Sequence, residues 1–111
     1  MSNPADIDDP IAAQRLVLIG ADGRTPISVR VGRPYAADGG FRCPVQIEGL
    51  EPRYADIAGE TSLQALCLAL RLVRDRLEDQ LAKGQSLSYP ADGGEEASID
   101  EAQLAAIFDW P

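Results

Sequence analysis

One stretch constrains this chain more than any other. Residues 61–84, TSLQALCLALRLVRDRLEDQLAKG, hold no interior glycine or proline, and apolar side chains recur at spacings of three and four. Leu63, Leu66, Cys67, Leu70, Val73, Leu77 and Leu81 therefore fall on one stripe of a long amphipathic helix. Thr61 followed by Gln64 fits a capping box at its start. Lys83 suits the negative end of the helix dipole, and Gly84 suits a left-handed cap. The halves of the helix differ. Up to Val73 only Gln64 and Arg71 are polar, so Ala65, Leu68, Ala69 and Leu72 make the opposite flank apolar too. Such a helix is covered on more than one side. One cover is the protein's own sheet; the other is a tail of the same chain or a second subunit.

A chain of 111 residues makes one domain and buries a core without disulfides or metals. No apolar run reaches the length of a membrane span, and the opening MSNPADIDDP has neither a basic start nor a hydrophobic block. The expectation is a soluble, cytoplasmic protein. Cys43 and Cys67 both fall at positions expected to face inward, as reduced, shielded thiols. Arginine is far commoner than lysine, whose sole instance is Lys83, a bias that points to a GC-rich bacterial genome.

The net charge of −8 is unevenly spread. Residues 1–12 carry Asp6, Asp8 and Asp9 with no cation, and residues 91–111 carry Asp92, Glu95, Glu96, Asp100, Glu101 and Asp109 with no cation. The middle is close to neutral. This layout argues against direct nucleic-acid binding, which needs a basic face. Acidic ends are most simply solvated segments, and otherwise a surface for a basic partner.

The chain divides into an acidic lead-in over 1–12, an α+β domain over 13–90 and an acidic tail over 91–111. Arg15 to Ile19 is apolar on both faces and suits a central strand. Asp22-Gly23 marks a hairpin turn, and Ile27, Val29 and Val31 alternate with polar residues as a half-buried strand. Residues 32–40 read as a loop. Phe41, Cys43, Val45 and Ile47 alternate in a further strand, and Pro44, lacking an N–H, places that strand at an edge or puts a bulge in it. Residues 53–57 offer a short fourth strand, and residues 86–89 another short one. Ser98 with Glu101 forms a second capping box, opening a short helix from Ile99 to about Phe108. The fold expected is α+β: a three- to four-stranded antiparallel meander with the long helix across it and a short C-terminal helix packed on what remains.

Catalytic equipment is sparse. The chain has no histidine, which removes the commonest general base and metal ligand. Two cysteines alone make no zinc site of the usual kind, no phosphate-binding glycine loop with its lysine occurs, and no serine has an evident activating partner. No catalytic, metal or cofactor residue is assigned. Candidate partner contacts are Tyr35 and Tyr54 in loops or strand ends, Arg71 and Arg74 on the long helix, Glu95 and Glu96 in the tail, and Phe108 and Trp110 as terminal anchors. Arg74 with Glu78, and Asp79 with Lys83, are also spaced to pair along the helix.

Gly40-Phe41 opening a strand, Gly49-Leu50 at a turn, and Gly59-Glu60-Thr61 starting a helix that continues through Gln64-Ala65 resemble HicB-like antitoxins over about residues 38–80. The turn Glu48-Gly49-Leu50-Glu51-Pro52 departs from that family's pattern, and no DNA-binding tail follows. The phrases GRPY, CPVQIEGL and SLQALCLALRLVRDRLE also resemble an uncharacterised family of small bacterial domains, which implies no activity and no site residues. The reading is a non-enzymatic protein-binding domain, in its narrower form an antitoxin-like or immunity-like inhibitor of a basic partner. The alternative is a structural or assembly module, a homodimer or complex subunit joined through the long helix. Neither reading involves a cofactor, a membrane or direct nucleic-acid contact.

Overall fold

The computed structural model describes Ile7, residues 9–90 and residues 98–108. The chain begins with a long hairpin, β1 (Ala12–Gly20) and β2 (Gly23–Val31), paired from Ala12↔Val31 to Gly20↔Gly23. Alternation along it sends Leu16, Leu18, Ile27, Val29 and Val31 into the core. Arg15, Val17, Ser28 and Arg30 stand on the opposite face.

The stretch read as a loop over 32–40 instead contains a strand and a tight hairpin. β3 (Tyr35–Ala37) pairs with β4 (Gly40–Cys43) through Asp38 and Gly39, both at positive φ, +50° and +80°. Those are the left-handed conformations that a two-residue hairpin turn requires, and Asp-Gly supplies them. The strand expected to run through Pro44 is split there. β4 stays with β3 and with β6 (Ile57–Gly59), while β5 (Val45–Glu48) crosses to pair with β2. Having no N–H, Pro44 takes no ladder bond as donor, and its carbonyl accepts instead from the Gly32 N–H at 2.9 Å. As Pro44 implied, β5 lies at a sheet edge.

α1 spans Ser62–Ala82 and is followed by β7 (Ser86–Ser88), which joins β1 and makes β1 a central strand. β8 (Ser98–Ile99) extends the sheet from β7, and α2 (Glu101–Phe108) ends the described chain. The described residues thus form eight strands in two antiparallel sheets, ordered β5-β2-β1-β7-β8 and β3-β4-β6. The α+β class and the two helices match expectation; the three- to four-stranded meander does not, because Pro44 divides one strand between sheets and the short strands β3 and β8 are added, while the short strand expected over 53–57 lies at Ile57–Gly59 as β6.

Both ends of α1 are capped as the sequence indicates. The Thr61 hydroxyl accepts from the Gln64 N–H at 3.0 Å, while the Gln64 side chain accepts from the Glu60 N–H, one residue earlier than a standard box. At the other end, Gly84 takes φ +90° and its N–H reaches the Leu81 carbonyl. The Gln85 N–H reaches the Gln80 carbonyl, which completes a Schellman motif.

The buried face of α1 differs from the expected stripe. Ala65, Ala69, Val73, Leu77 and Gln80 face inward, while Leu63 is 68 % exposed and Cys67 and Leu68 are exposed. Leu66, Leu70 and Leu81 are half-buried at its sides. The reason is close packing on the small sheet. A Cβ placed on Gly59 would stand 2.5 Å from the Ala65 backbone nitrogen, so β6 and the first turns of α1 nearly touch. Only alanine fits on the helix face there. Cys43, by contrast, is fully buried as expected.

Candidate binding cleft

The last helix forms one wall of the cleft, and its position is fixed by two devices. β8 pairs with β7 through Leu87↔Ile99 and Ser88↔Ser98. Then the Asp100 side chain accepts from the Gln103 N–H at 2.8 Å, and the Gln103 side chain accepts from the Asp100 N–H at 2.9 Å. This is a reciprocal capping box, and it sits two residues beyond the Ser98 box expected from the sequence, because Ser98 is used in the β ladder. Leu104 is fully buried, and Phe108 packs against the edge of the core. The tail helix therefore packs on its own domain.

Between this helix, α1 and the open end of the β1–β2 hairpin lies a cleft of about 530 Å³. Ala12, Ala13 and Gln14 line it from β1, Val29 and Val31 from β2, Leu70 and Leu77 from α1, and Ala106, Ile107 and Phe108 from α2. Ala12, Ala13 and Ala106 give the lining small side chains. Gln14 is the one polar member of this set, and its amide nitrogen donates to the Arg15 carbonyl at 2.9 Å. None of these side chains is ionisable. The cleft is of the size that takes a small apolar molecule or a few partner side chains. It has the surface to hold apolar groups.

Of the contact residues expected from the sequence, the structure places only Phe108 here. Glu95, Glu96 and Trp110 lie outside the described residues. Arg71 is exposed on α1, and Arg74 pairs with Glu78 at 2.9 Å. Lys83 likewise pairs with Asp79, at 3.0 Å.

Tyr35 and Tyr54 instead serve two matching networks that pin the loop between β5 and β6. Tyr54 donates to the Glu51 carboxylate at 2.7 Å, which also accepts from Arg76 Nε on α1 at 2.7 Å. The arginine and tyrosine hydrogen bonds hold the Glu51 carboxyl below its ordinary range, and burial with the adjacent carboxylate pushes the Tyr54 hydroxyl up to about 12. At the other end of the loop, Tyr35 donates to Asp56, which Arg53 also binds at 2.8 Å. That hydrogen bond raises the Tyr35 pKa. Arg53 Nε is buried with no hydrogen-bond partner among the described residues. In each network a carboxylate gathers a tyrosine and an arginine, which is a way to order a glycine- and proline-containing loop, and both tyrosines are thereby engaged within the chain.

The two cysteines occupy different surroundings. Burial pushes the Cys43 thiol up to about 11, and its sulfur approaches the Gly32 carbonyl at 3.5 Å. Cys67, expected to face inward, is exposed, because the helix turns its Ala65–Ala69–Val73 face to the sheets. No group of histidine, cysteine and carboxylate side chains suited to a metal ion occurs among the described residues.

The phrases that suggested an uncharacterised bacterial family cover residues 32–35, leading into β3, residues 43–50, through β5, and residues 62–78 of α1. A family model, described as a domain of unknown function (DUF6968), matches residues 12–98. The chain belongs to that family. The matched span runs from the first residue of β1 to the first of β8, so it includes the β1, β2 and α1 walls of the cleft and excludes the α2 wall. No curated protein and no solved structure matches the chain. The DUF6968 match carries no activity and no site residues, and the comparisons return no HicB-like protein.

Proposed function

We propose that this DUF6968 protein is a non-enzymatic protein-binding domain that receives apolar side chains of a partner in the cleft between the β1–β2 hairpin, α1 and α2. The observation that carries the proposal is the lining itself: among the described residues it is apolar but for Gln14, open to solvent, and without an ionisable group. Ile107, 39 % exposed at the cleft wall, is the kind of rim residue an apolar anchor would cover. A basic partner is the narrower form of the proposal, supported by the uniformly acidic character of residues 91–111. Placing a photo-crosslinking amino acid at Gln14 in the native host tests the reading. Adducts to one distinct protein are expected, and they should disappear when Ala12→Trp plugs the cleft. Adducts confined to the chain's own residues would overturn it.

A second reading, self-assembly, is favoured by a different observation. Leu63, Cys67 and Leu68 leave the outer side of α1 apolar and exposed over its first turns. A dimer joined there would dissociate on Leu63→Asp, as measured by sedimentation, and would leave cleft crosslinking unchanged.

A further inference from the structure

Hydrogen-bond direction along the first hairpin leaves part of β1 open. In an antiparallel sheet, successive residues of a strand point their N–H and C=O alternately to one neighbour and to the other. The Gly32 N–H donates to the Pro44 carbonyl at 2.9 Å, which turns the backbone groups of Arg30 and Ser28 toward β5. Those of Ile27, Val29 and Val31 are thereby turned toward β1, where they face Leu16, Gln14 and Ala12. The residues in between, Ala13, Arg15, Val17 and Ile19, turn their backbone groups to the far side of β1. There β7 meets Ile19 through Ser86 and Val17 through Ser88, and its pairing goes no further. Carried on, the register would set Pro90 opposite Arg15, and proline has no N–H to give. The Gln14 side-chain amide donates to the Arg15 carbonyl instead, at 2.9 Å. Ala13 and Arg15 are exposed, and the Ala13 N–H and C=O and the Arg15 N–H have no backbone partner among the described residues.

An open strand edge is a template for another strand. The surroundings of this one say what kind. On the inner side it adjoins the apolar cleft, which Ala12, Gln14 and Leu16 line from β1 and Val29 and Val31 from β2. On the outer side stands Arg15, exposed and without an ion-pair partner among the described residues. Arg30, the next cation on that side, is already engaged, 3.6 Å from Glu48 and 3.4 Å from the Ile7 carbonyl.

We propose that this edge of β1, centred on Ala13, accepts an extended segment of a protein partner as an added strand, and that the segment reads apolar–acidic–apolar. The proposal rests on the cleft reading above and supplies the partner's form. The residue opposite Ala13 exchanges both backbone hydrogen bonds with it. Strand side chains alternate, so the two residues opposite Ala12 and Gln14 drop into the cleft. The residue opposite Ala13 stands on the outer face, diagonal to Arg15 and within reach of a long side chain. A carboxylate there gives the guanidinium the partner it lacks. A helix laid in the same cleft would fill the apolar space and leave the Ala13 groups unpaired.

The test uses the full chain and the synthetic peptide acetyl-Thr-Leu-Glu-Leu-Thr-amide, with amide exchange read by NMR. In the peptide-free chain the Ala13 and Arg15 amides should exchange fast. At a peptide concentration about ten times its Kd, Ala13 exchange should slow about tenfold, since only the free form opens to solvent. Methylating the glutamate nitrogen of the peptide removes one backbone donor and should abolish binding. Ala13→Pro should do the same from the other side, at a position whose N–H faces away from β2 and where a strand tolerates proline. Arg15→Gln should weaken binding about two- to fivefold, as loss of an exposed ion pair does. No binding at millimolar peptide, or equal binding of the methylated peptide, would overturn the proposal. So would Ala13 protection that is present without peptide: if it rises with protein concentration the occupant is a second copy, and if it does not the edge is filled within the chain. Crosslinking from Gln14 separates this proposal from the cleft reading. Adducts that survive Ala13→Pro and vanish in Ala12→Trp would leave the cleft standing and the strand refuted, whereas adducts that survive both would refute the cleft itself.

Discussion

Gly59→Ala tests how the two sheets are tied together. Gly59 is the last residue of β6, and the helix that bridges both sheets starts three residues later. A methyl group there would meet Ala65 N at 2.5 Å, Ala65 Cα at 2.8 Å and the Gln64 carbonyl carbon at 3.1 Å. All three are helix backbone atoms, which cannot rotate away as a side chain would. Relief requires the first turn of α1 to lift off β6, which loosens the seat of Ala65 and Ala69. Overpacking of this kind costs about 1–3 kcal/mol. With a urea m value near 2 kcal/mol/M, a loss of about 2 kcal/mol moves the unfolding midpoint down by about 1 M. Gly20→Ala is the control. Its methyl would also meet an atom at 3.0 Å, but that atom is Oε1 of Gln85, the far end of a flexible side chain, so the midpoint should hardly move. Equal midpoints for Gly59→Ala and the native chain would refute the close approach of β6 and α1, and with it the explanation of why alanines face inward.

Leu77→Ala should cost roughly 2–5 kcal/mol in the same denaturation assay, since Leu77 is 1 % exposed, whereas Leu68→Ala on the outer side of the helix should cost under about 0.5 kcal/mol; a reversed order would mean the helix is rotated from the orientation described. Under native conditions a thiol reagent should modify Cys67 promptly and Cys43 only on unfolding, because Cys43 is buried and its thiol ionises near 11; simultaneous modification would contradict the packing. Glu51 has a folded pKa below its ordinary value of 4.5, so its contribution to stability is complete above that value and is lost as pH falls through the lower folded one. The stability gap between the native chain and Glu51→Gln should therefore shrink in acid, and a gap that stays constant from about pH 7 to about pH 3 would show that the Arg76–Glu51 pair contributes nothing.

The site was far less legible than the fold. Hairpin, helix caps and the edge position of β5 are local events, written in Thr61, Gly84 and Pro44. The cleft is not local. Its walls come from the β1–β2 hairpin, α1 and α2, three stretches far apart in sequence, and it is defined by what its side chains fail to fill. Ala12, Ala13 and Ala106 carry no chemistry that would single them out, and the one signal, small residues at the start of a strand and the end of a helix, is common. Tyr35 and Tyr54 stood out as amphipathic rings suited to contact surfaces. Their partners, Asp56 and Glu51, sit 21 and 3 residues away in sequence, and nothing in the spacing shows that each carboxylate also holds an arginine.

The orientation of α1 shows where periodicity stops being informative. In the first half of this helix nearly every position is apolar, so a stripe of leucines and a stripe of alanines satisfy the same spacing. Size would favour burying the leucines, since each removes more surface from water. Distance decides otherwise. The helix axis lies close to the small β3-β4-β6 sheet because β6 ends in glycine, and leucine at 65 or 69 would hold it away. The larger side chains then fall to the flanks: Leu66 and Leu70 half-buried, Leu63 and Leu68 outward. Further along, Val73 and Leu77 take over the inward positions, where α1 makes fewer close backbone approaches to the five-stranded sheet than it makes to β4 and β6. The larger side chains of that face thus stand where the backbones are less close, and Leu77 there also lines the cleft.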